Sequence, residues 1–190
     1  MNIIIHRGTH QIGGSAIEIS TKSTRIILDF GNELSLDEKY IPINLDIDGV
    51  TKGMLDCDGI VISHYHMDHL GQLTSALPEI PLYMGKLSKE VAMIATEHQD
   101  KDLYLRLLGA NTFRGGEAFT IGNIHIRPLV IDHSAVDSYM FVIEAEGKRV
   151  LYTGDFRMHG LRSHIVEKLV KTYIGEVDVL ITEGTSLSRD

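Results

Sequence analysis

Apolar residues along this chain recur mostly in short runs or at alternate positions, the period of strands rather than of long helices. Asn2–Arg7, Ala16–Ser20 and residues 24–29 read as strands, and Thr21-Lys22-Ser23 turns the last two into a hairpin. Residues 59–63, Gly-Ile-Val-Ile-Ser, form the apolar run expected of a strand covered on both faces. Residues 80–84 are a further strand candidate. The period then changes. Leu87, Val91, Ile94, Ala95, Leu103, Leu107 and Leu108 fall at helical spacing, with Ser88 as N-cap and Gly109 as stop. The polar stretch 97–102 divides that helix in two. Residues 118–121, 123–130, Tyr139–Ala145 and 149–153 read as four more strands, with Glu146-Gly147-Lys148 as a tight turn between the last two. Residues 161–173 form a helix and 177–182 a final buried strand. This order predicts an α/β architecture with helices outside a sheet.

Length and composition narrow the class. At 190 residues, 43% hydrophobic and 23% charged, the chain has the profile of one folded domain. No apolar run approaches the roughly 20 residues of a spanning helix, so no membrane role is expected. The start, Met1-Asn2-Ile3-Ile4-Ile5-His6-Arg7, lacks the pattern of a signal peptide. The single cysteine, Cys57, excludes an internal disulfide and a multi-cysteine zinc site, and a reducing cytoplasm is the simplest compartment. Asp56 and Asp58 flank Cys57 and oppose thiolate formation, so it is not expected to be catalytic. The net charge of -8 gives no general attraction to nucleic acid, although a bound divalent cation would reverse that locally.

Histidine is the unusual component, with 10 residues and no tag-like run. Ser63-His64-Tyr65-His66-Met67-Asp68-His69-Leu70-Gly71 follows the buried strand directly. At a strand-to-helix junction, His64 and His66 converge from the extended part, while Asp68 and His69 project from the first helical turn. Imidazole nitrogen and carboxylate oxygen suit zinc, iron and manganese, and one such loop can serve two ions. His133 and Asp155 each follow a strand, where α/β sheets commonly build sites.

These residues resemble the metallo-β-lactamase superfamily: His64-Tyr65-His66-Met67-Asp68-His69, then His133, then Thr153-Gly154-Asp155. Gly13-Gly14-Ser15 and Ile27-Leu28-Asp29-Phe30-Gly31 are similar to that family's opening hairpin. Tyr152-Thr153-Gly154-Asp155-Phe156-Arg157 and Leu180-Ile181-Thr182-Glu183-Gly184-Thr185 resemble its ribonuclease J and β-CASP branch. The resemblance implies an αββα sandwich with the site at one edge. It implies that His64, His66 and His133 hold a first metal, that Asp68 and His69 hold a second, and that Asp155 bridges them. Asp68 and Asp155 are then the catalytic carboxylates around a hydroxide that attacks phosphorus. Zn2+ is the expected ion, one or two per chain, with Mn2+ or Fe as substitutes. Asp29 is expected to support the histidine loop through a hydrogen bond, with a strand-end turn residue as its other reading, and Glu183 to belong to the surroundings of the site. Ser134 is read first as a turn hydroxyl and second as a candidate phosphate contact. Arg157 and His159 are candidates for an anion contact, and Arg7, His10, Gly13 and Gly14 for a loop bordering the site.

One departure shapes the expected function. The family completes its second metal with a histidine on a later strand, and none follows His164 here. His159 and His164 are too near Asp155 to match it. The resemblance therefore implies one domain over residues 1–190 that lacks its second half and cap, through a shortened chain, a split gene or a degenerate stand-alone protein. A weak second metal site, an exposed sheet edge prone to self-association and reduced substrate grip are then expected. The leading expectation is a metal-dependent hydrolase whose complete form cleaves RNA or another phosphodiester. Hydrolysis of an ester, thioester or lactone is a second reading. A non-catalytic metal-binding fragment, acting through a second copy or the missing half, is a third.

Overall fold

The computed structural model describes residues 1–34, 43–160 and 162–185. Six strands form the first sheet in sequential order: β1 (Asn2–Arg7), β2 (Ala16–Ser20), β3 (Arg25–Leu28), β4 (Gly59–Ile62), β5 (Leu82–Gly85) and β6 (Asn111–Phe113). The first three are antiparallel and the rest add in parallel. Between β4 and β6 lie α1 (Met67–Leu70), α2 (Lys86–Thr96) and α3 (Lys101–Leu108). The second sheet runs from β7 (Phe119–Ile121) through β8 (Ile124–Val130), β9 (Tyr139–Ala145) and β10 (Lys148–Tyr152) to β11 (Val179–Ile181). Helix α4 (Ser163–Leu169) covers its outer face.

Three apolar clusters show the layering. Ile19, Ile26, Leu28 and Val61 of the first sheet meet Ile126, Phe141, Ile143 and Val150 of the second in the central layer. Ile27, Ile60, Ile62 and Met84 pack outward against Ala92, Leu103 and Leu107 of α2 and α3. Leu129, Met140, Val142 and Leu151 pack outward against Val166 and Leu169 of α4. Alternate residues of each strand therefore serve opposite layers, as the pleat requires. The result is the expected αββα sandwich. Among the described residues, no helix is long and apolar enough to cross a membrane.

Several local expectations change in the structure. The long helical stretch is indeed split, but α2 begins at Lys86 with Gly85 in the cap position, not at Ser88. Its free amides are taken by Asp137 from a distant loop, so a cap from the helix's own sequence is unnecessary. The helix expected over 161–173 is α4 followed by a wider π turn, Val170–Ile174, and Leu161 lies outside the described residues. The last strand is not buried: Val179 and Leu180 are exposed because β11 pairs only with β10 among the described residues. Strand β6, with two exposed residues of three, carries too little pattern to be legible in the sequence. Cys57 is buried beside Gly59, and burial, more than its acidic neighbours, pushes its thiol up to about 11.

Directions matter more than strand count. β3 and β4 run parallel, and so do β10 and β11. β8 and β10 share one direction because each is antiparallel to β9. The carboxyl ends of β3 and β4, and those of β8, β10 and β11, are thus the segments that carry Asp29, His64, His133, Asp155 and Glu183. At the opposite extreme of dependence on the fold, α3 starts on a local cap, with Asp100 accepting the Leu103 amide at 3.0 Å. Asp100→Ala is expected to cost about 1 kcal/mol of folding stability, the usual worth of an N-cap side chain. Urea denaturation measures it, and an unchanged midpoint would show the cap to be idle.

Candidate metal centre

The histidine segment is shaped by the loop that covers it. His64 leaves the end of β4 extended, His66 sits at the N-cap of α1, and Asp68 and His69 lie within that single turn. A four-residue helix cannot satisfy its own carbonyls, so neighbouring chain does. The amides of Asn32, Ser15 and Phe30 donate to the carbonyls of Met67, Asp68 and His69 at 2.9, 3.1 and 2.7 Å. This contact leaves no room for a side chain at Gly31, where a Cβ would lie 1.6 Å from the Asp68 carbonyl oxygen.

Asp29 lies beneath the segment, fully buried, with φ +54° just past the end of β3. Its Oδ1 accepts the Ser63 amide at 2.6 Å. Its Oδ2 accepts the Ser63 hydroxyl at 2.8 Å, His69 Nδ1–H at 2.7 Å and the Tyr152 hydroxyl at 2.5 Å. With its proton committed to Asp29, the Ser63 oxygen is left to accept Nδ1–H of His64 at 3.0 Å. The network thereby assigns a proton to Nδ1 of both rings and turns each Nε2 toward the site.

Two groups of side chains converge there. His64 Nε2 lies 3.0 Å from His66 Nδ1, and His133 Nε2 lies 3.2 Å from the same atom. His64, His66 and His133 form one cluster with metal-ligand geometry, and His64, His69 and Asp155 form another. Asp155 Oδ1 is 3.2 Å from His69 Nε2, and its Oδ2 is 3.9 Å from His133 Nε2. Asp68 Oδ2 stands 3.6 Å from His69 Nε2.

The donor set fits a cation. Three ring nitrogens point at one another, and the single proton that His66 Nδ1 can offer serves only one of the two Nε2 atoms facing it. A cation among them satisfies all three lone pairs. Burial, reinforced by the neighbouring rings, holds His64 well below the ordinary imidazole range, and burial also lowers His66 and His133. His69 moves the other way: burial opposes its charge, but Asp29 and Asp155 override it and hold the ring well above that range. Burial raises Asp68, whereas in Asp155 the hydrogen bond and charge of His69 outweigh burial and lower the carboxyl. His64, His66 and His133, neutral beside the ionised Asp155, are thus in the forms that ligate, whereas His69 would have to give up its Nε2 proton to a cation.

The remaining candidates separate. Arg7, His10, Gly13, Asp68, His69 and Asp155 line a cavity of about 600 Å³, together with Thr182–Thr185 of the loop after β11. Glu183 borders this cavity and accepts the Phe156 amide at 2.9 Å, which fixes the loop behind Asp155. Ser134 is exposed and outside that lining. Arg157 turns away to Asp132, its backbone N–H on the Asp132 carbonyl at 2.9 Å and its Nε 3.4 Å from Oδ1. Ser63 and Tyr152 were not legible as site residues. Their only signals were adjacency, Ser63 directly before His64 and Tyr152 at the head of Tyr152-Thr153-Gly154-Asp155.

Comparison with known proteins points the same way. A family model described as a beta-lactamase superfamily domain matches residues 43–190. An RNase J-like protein of Methanocaldococcus jannaschii is 28% identical over 195 residues, covering 95% of this chain and 41% of that protein. Endoribonuclease ysh-1 of Neurospora crassa is 28% identical over 200 residues, covering 94% of this chain and 23% of its own length. A solved structure of a protein of unknown function from Enterococcus faecalis superposes with a TM-score of 0.84 at 22% identity, covering 99% of this chain and 51% of that one. The chain thus spans about half or less of the length of these relatives.

Removing the central carboxylate provides a test. Asp29→Ala would strand the Ser63 amide and hydroxyl, His69 Nδ1–H and the Tyr152 hydroxyl away from water. At about 1–3 kcal/mol for each unmet buried group, a loss of about 3 kcal/mol or more is expected. Urea denaturation with a chelator present isolates this from any metal effect. A loss below about 1 kcal/mol would mean the network is replaceable by water.

Proposed function

The chain belongs to the metallo-β-lactamase superfamily, and on that footing we propose that residues 1–190 are one such domain of a metal-dependent hydrolase acting on phosphodiesters, with RNA as the substrate class. The observation that carries the reading is the convergence of His64, His66 and His133 at 3.0 and 3.2 Å beside Asp155. The names of the relatives, an RNase J-like protein and an endoribonuclease, support RNA over other esters.

In this reading His64 Nε2, His66 Nδ1 and His133 Nε2 hold the first cation. His69 Nε2 and Asp68 would hold a second, with Asp155 available to either set, Oδ1 lying toward His69 and Oδ2 toward His133. Zn2+ is the favoured ion for this nitrogen and oxygen set, which also accepts Mn2+ or Fe. Bound divalent cations supply acidity to water and neutralise the charge that develops on phosphate oxygens. The chain's own part is orientation. Asp29 and Ser63 keep Nε2 of His64 and His69 aimed inward, and Glu183 holds the loop of Asp155 in place. The cavity beside Asp68 and Asp155 is the proposed seat of the RNA phosphate or of a small phosphodiester. The lone thiol, buried and unactivated, supports a cytoplasmic setting.

Metal analysis and hydrolysis assays test this together. His66→Ala and Asp155→Ala are expected to remove bound metal, and Asp68→Ala to deplete mainly the second ion. Cleavage of bis-p-nitrophenyl phosphate and short RNA by the metal-loaded protein should stop with a chelator. Unchanged metal content in all three variants would refute the ligand assignment. Turnover of a thioester or lactone, with both phosphodiesters inert, would refute the substrate class.

A further inference from the structure

Of the three imidazoles that meet first, His133 alone comes from the second sheet. It sits in the loop between β8 and β9, which closes on itself through Ile131 N–H to Ser138 O at 3.0 Å and Ser138 Oγ–H to Ala135 O at 2.8 Å. Nothing in that closure refers His133 to the first sheet. Asp137 does. Its Oδ2 accepts the amides of Leu87 and Ser88 at 2.9 and 3.1 Å, the free N-terminal donors of α2. Its Oδ1 accepts the Tyr139 hydroxyl. Two further links run beside it, Tyr139 N–H to Ser63 O at 3.1 Å and the longer Val136 N–H to the Tyr65 hydroxyl at 3.4 Å.

The surroundings of Asp137 are adapted to this contact on both sides. Asp137 holds φ +62°, a conformation that costs a non-glycine residue energy and persists only where contacts enforce it. On the helix side, a Cβ at Gly85 would lie 2.5 Å from Asp137 Oδ2 and 2.5 Å from the Tyr139 ring. The backbone of Gly85 has an ordinary negative φ, so clearance for the carboxylate, not turn geometry, is what calls for glycine there.

We propose that Asp137 is a positioning residue for the metal centre: by docking the loop of His133 onto the N-terminus of α2, it sets His133 against His64 and His66. Asp137 touches no ligand nitrogen and acts only through the loop. This inference rests on the ligand assignment above, and the test separates the two.

Zn2+ affinity is measured by competition with a chromophoric chelator, alongside thermal unfolding of the metal-free protein. Asp137→Gly removes the clamp while keeping the φ allowed, and should weaken Zn2+ binding about tenfold or more, the scale of other groups that orient metal ligands. Asp137→Asn keeps an acceptor oxygen for both amides and, being as good a cap, should stay within about threefold of wild type. Gly85→Ala, which crowds the carboxylate while leaving residue 137 an aspartate, should weaken binding as well. Asp100→Ala, the cap of α3, should lower the melting temperature with Zn2+ affinity unchanged. Wild-type affinity in folded Asp137→Gly or Gly85→Ala would overturn the clamp and leave the ligand assignment standing. Equal weakening in Asp100→Ala would trace the effect to general stability and also overturn it. Affinity insensitive to His66→Ala would overturn both readings.

Discussion

A carboxylate sealed from water must have its charge answered by donors, because an unmet charge in a dry interior is among the costliest features a fold can contain. Asp29 is such a group, and the site is built from the donors that answer it. Ser63 just past β4, His69 of α1 and Tyr152 of β10 come from different layers, and all four of their hydrogen bonds end on one side chain. Through Ser63 the effect reaches His64 as well. The carboxylate therefore sets which nitrogen of two rings faces inward, and it joins the two sheets at the place where their ligands meet.

The second constraint is the covering of α1. A single helical turn is unstable alone, and its carbonyls here are capped by Ser15, Phe30 and Asn32 from the opening hairpin and the loop after β3. Asp68 and His69 are thereby held on backbone that has almost no freedom, and the close approach at Gly31 keeps that backbone pressed against the covering loop. The same economy appears across the sheets, where Asp137 closes α2 from the loop of His133. In the first case the capped helical turn itself carries Asp68 and His69, and in the second the segment docked on the helix end carries His133.

Much of the fold is legible in the sequence because burial imposes periods. Gly59–Ile62 is apolar throughout because layers cover both of its faces, and α3 shows its buried stripe, Leu103 and Leu107, at helical spacing. In α2, by contrast, the expected apolar positions Leu87, Ile94 and Ala95 are exposed, and Ser88, Ala92 and Thr96 face the core. The residues of the candidate metal centre are legible for a different reason. Histidine and aspartate crowded after a buried strand have few other uses, so His64, His66, Asp68 and His69 announce themselves. His133 and Asp155 become readable only in their company. What local pattern misled about was satisfaction from a distance. Ser88 looked like the cap of its helix, but Asp137 does that work from 49 positions away. The strand at 179–181 has the apolar composition of an interior strand, yet it lies at an edge.

Residue order and type were thus enough to indicate most of the strands and helices, β6 excepted, and to single out side chains with metal-ligating chemistry, since both follow from spacing along a single stretch of chain. Which nitrogen of His64 and His69 points inward, and why Tyr152, Gly85 and Asp137 matter to rings they do not adjoin, was decided only once the layers were assembled. Those properties belong to hydrogen bonds between segments up to 123 residues apart. Such bonds take their direction from the packing of two sheets, and no periodicity in the chain encodes it.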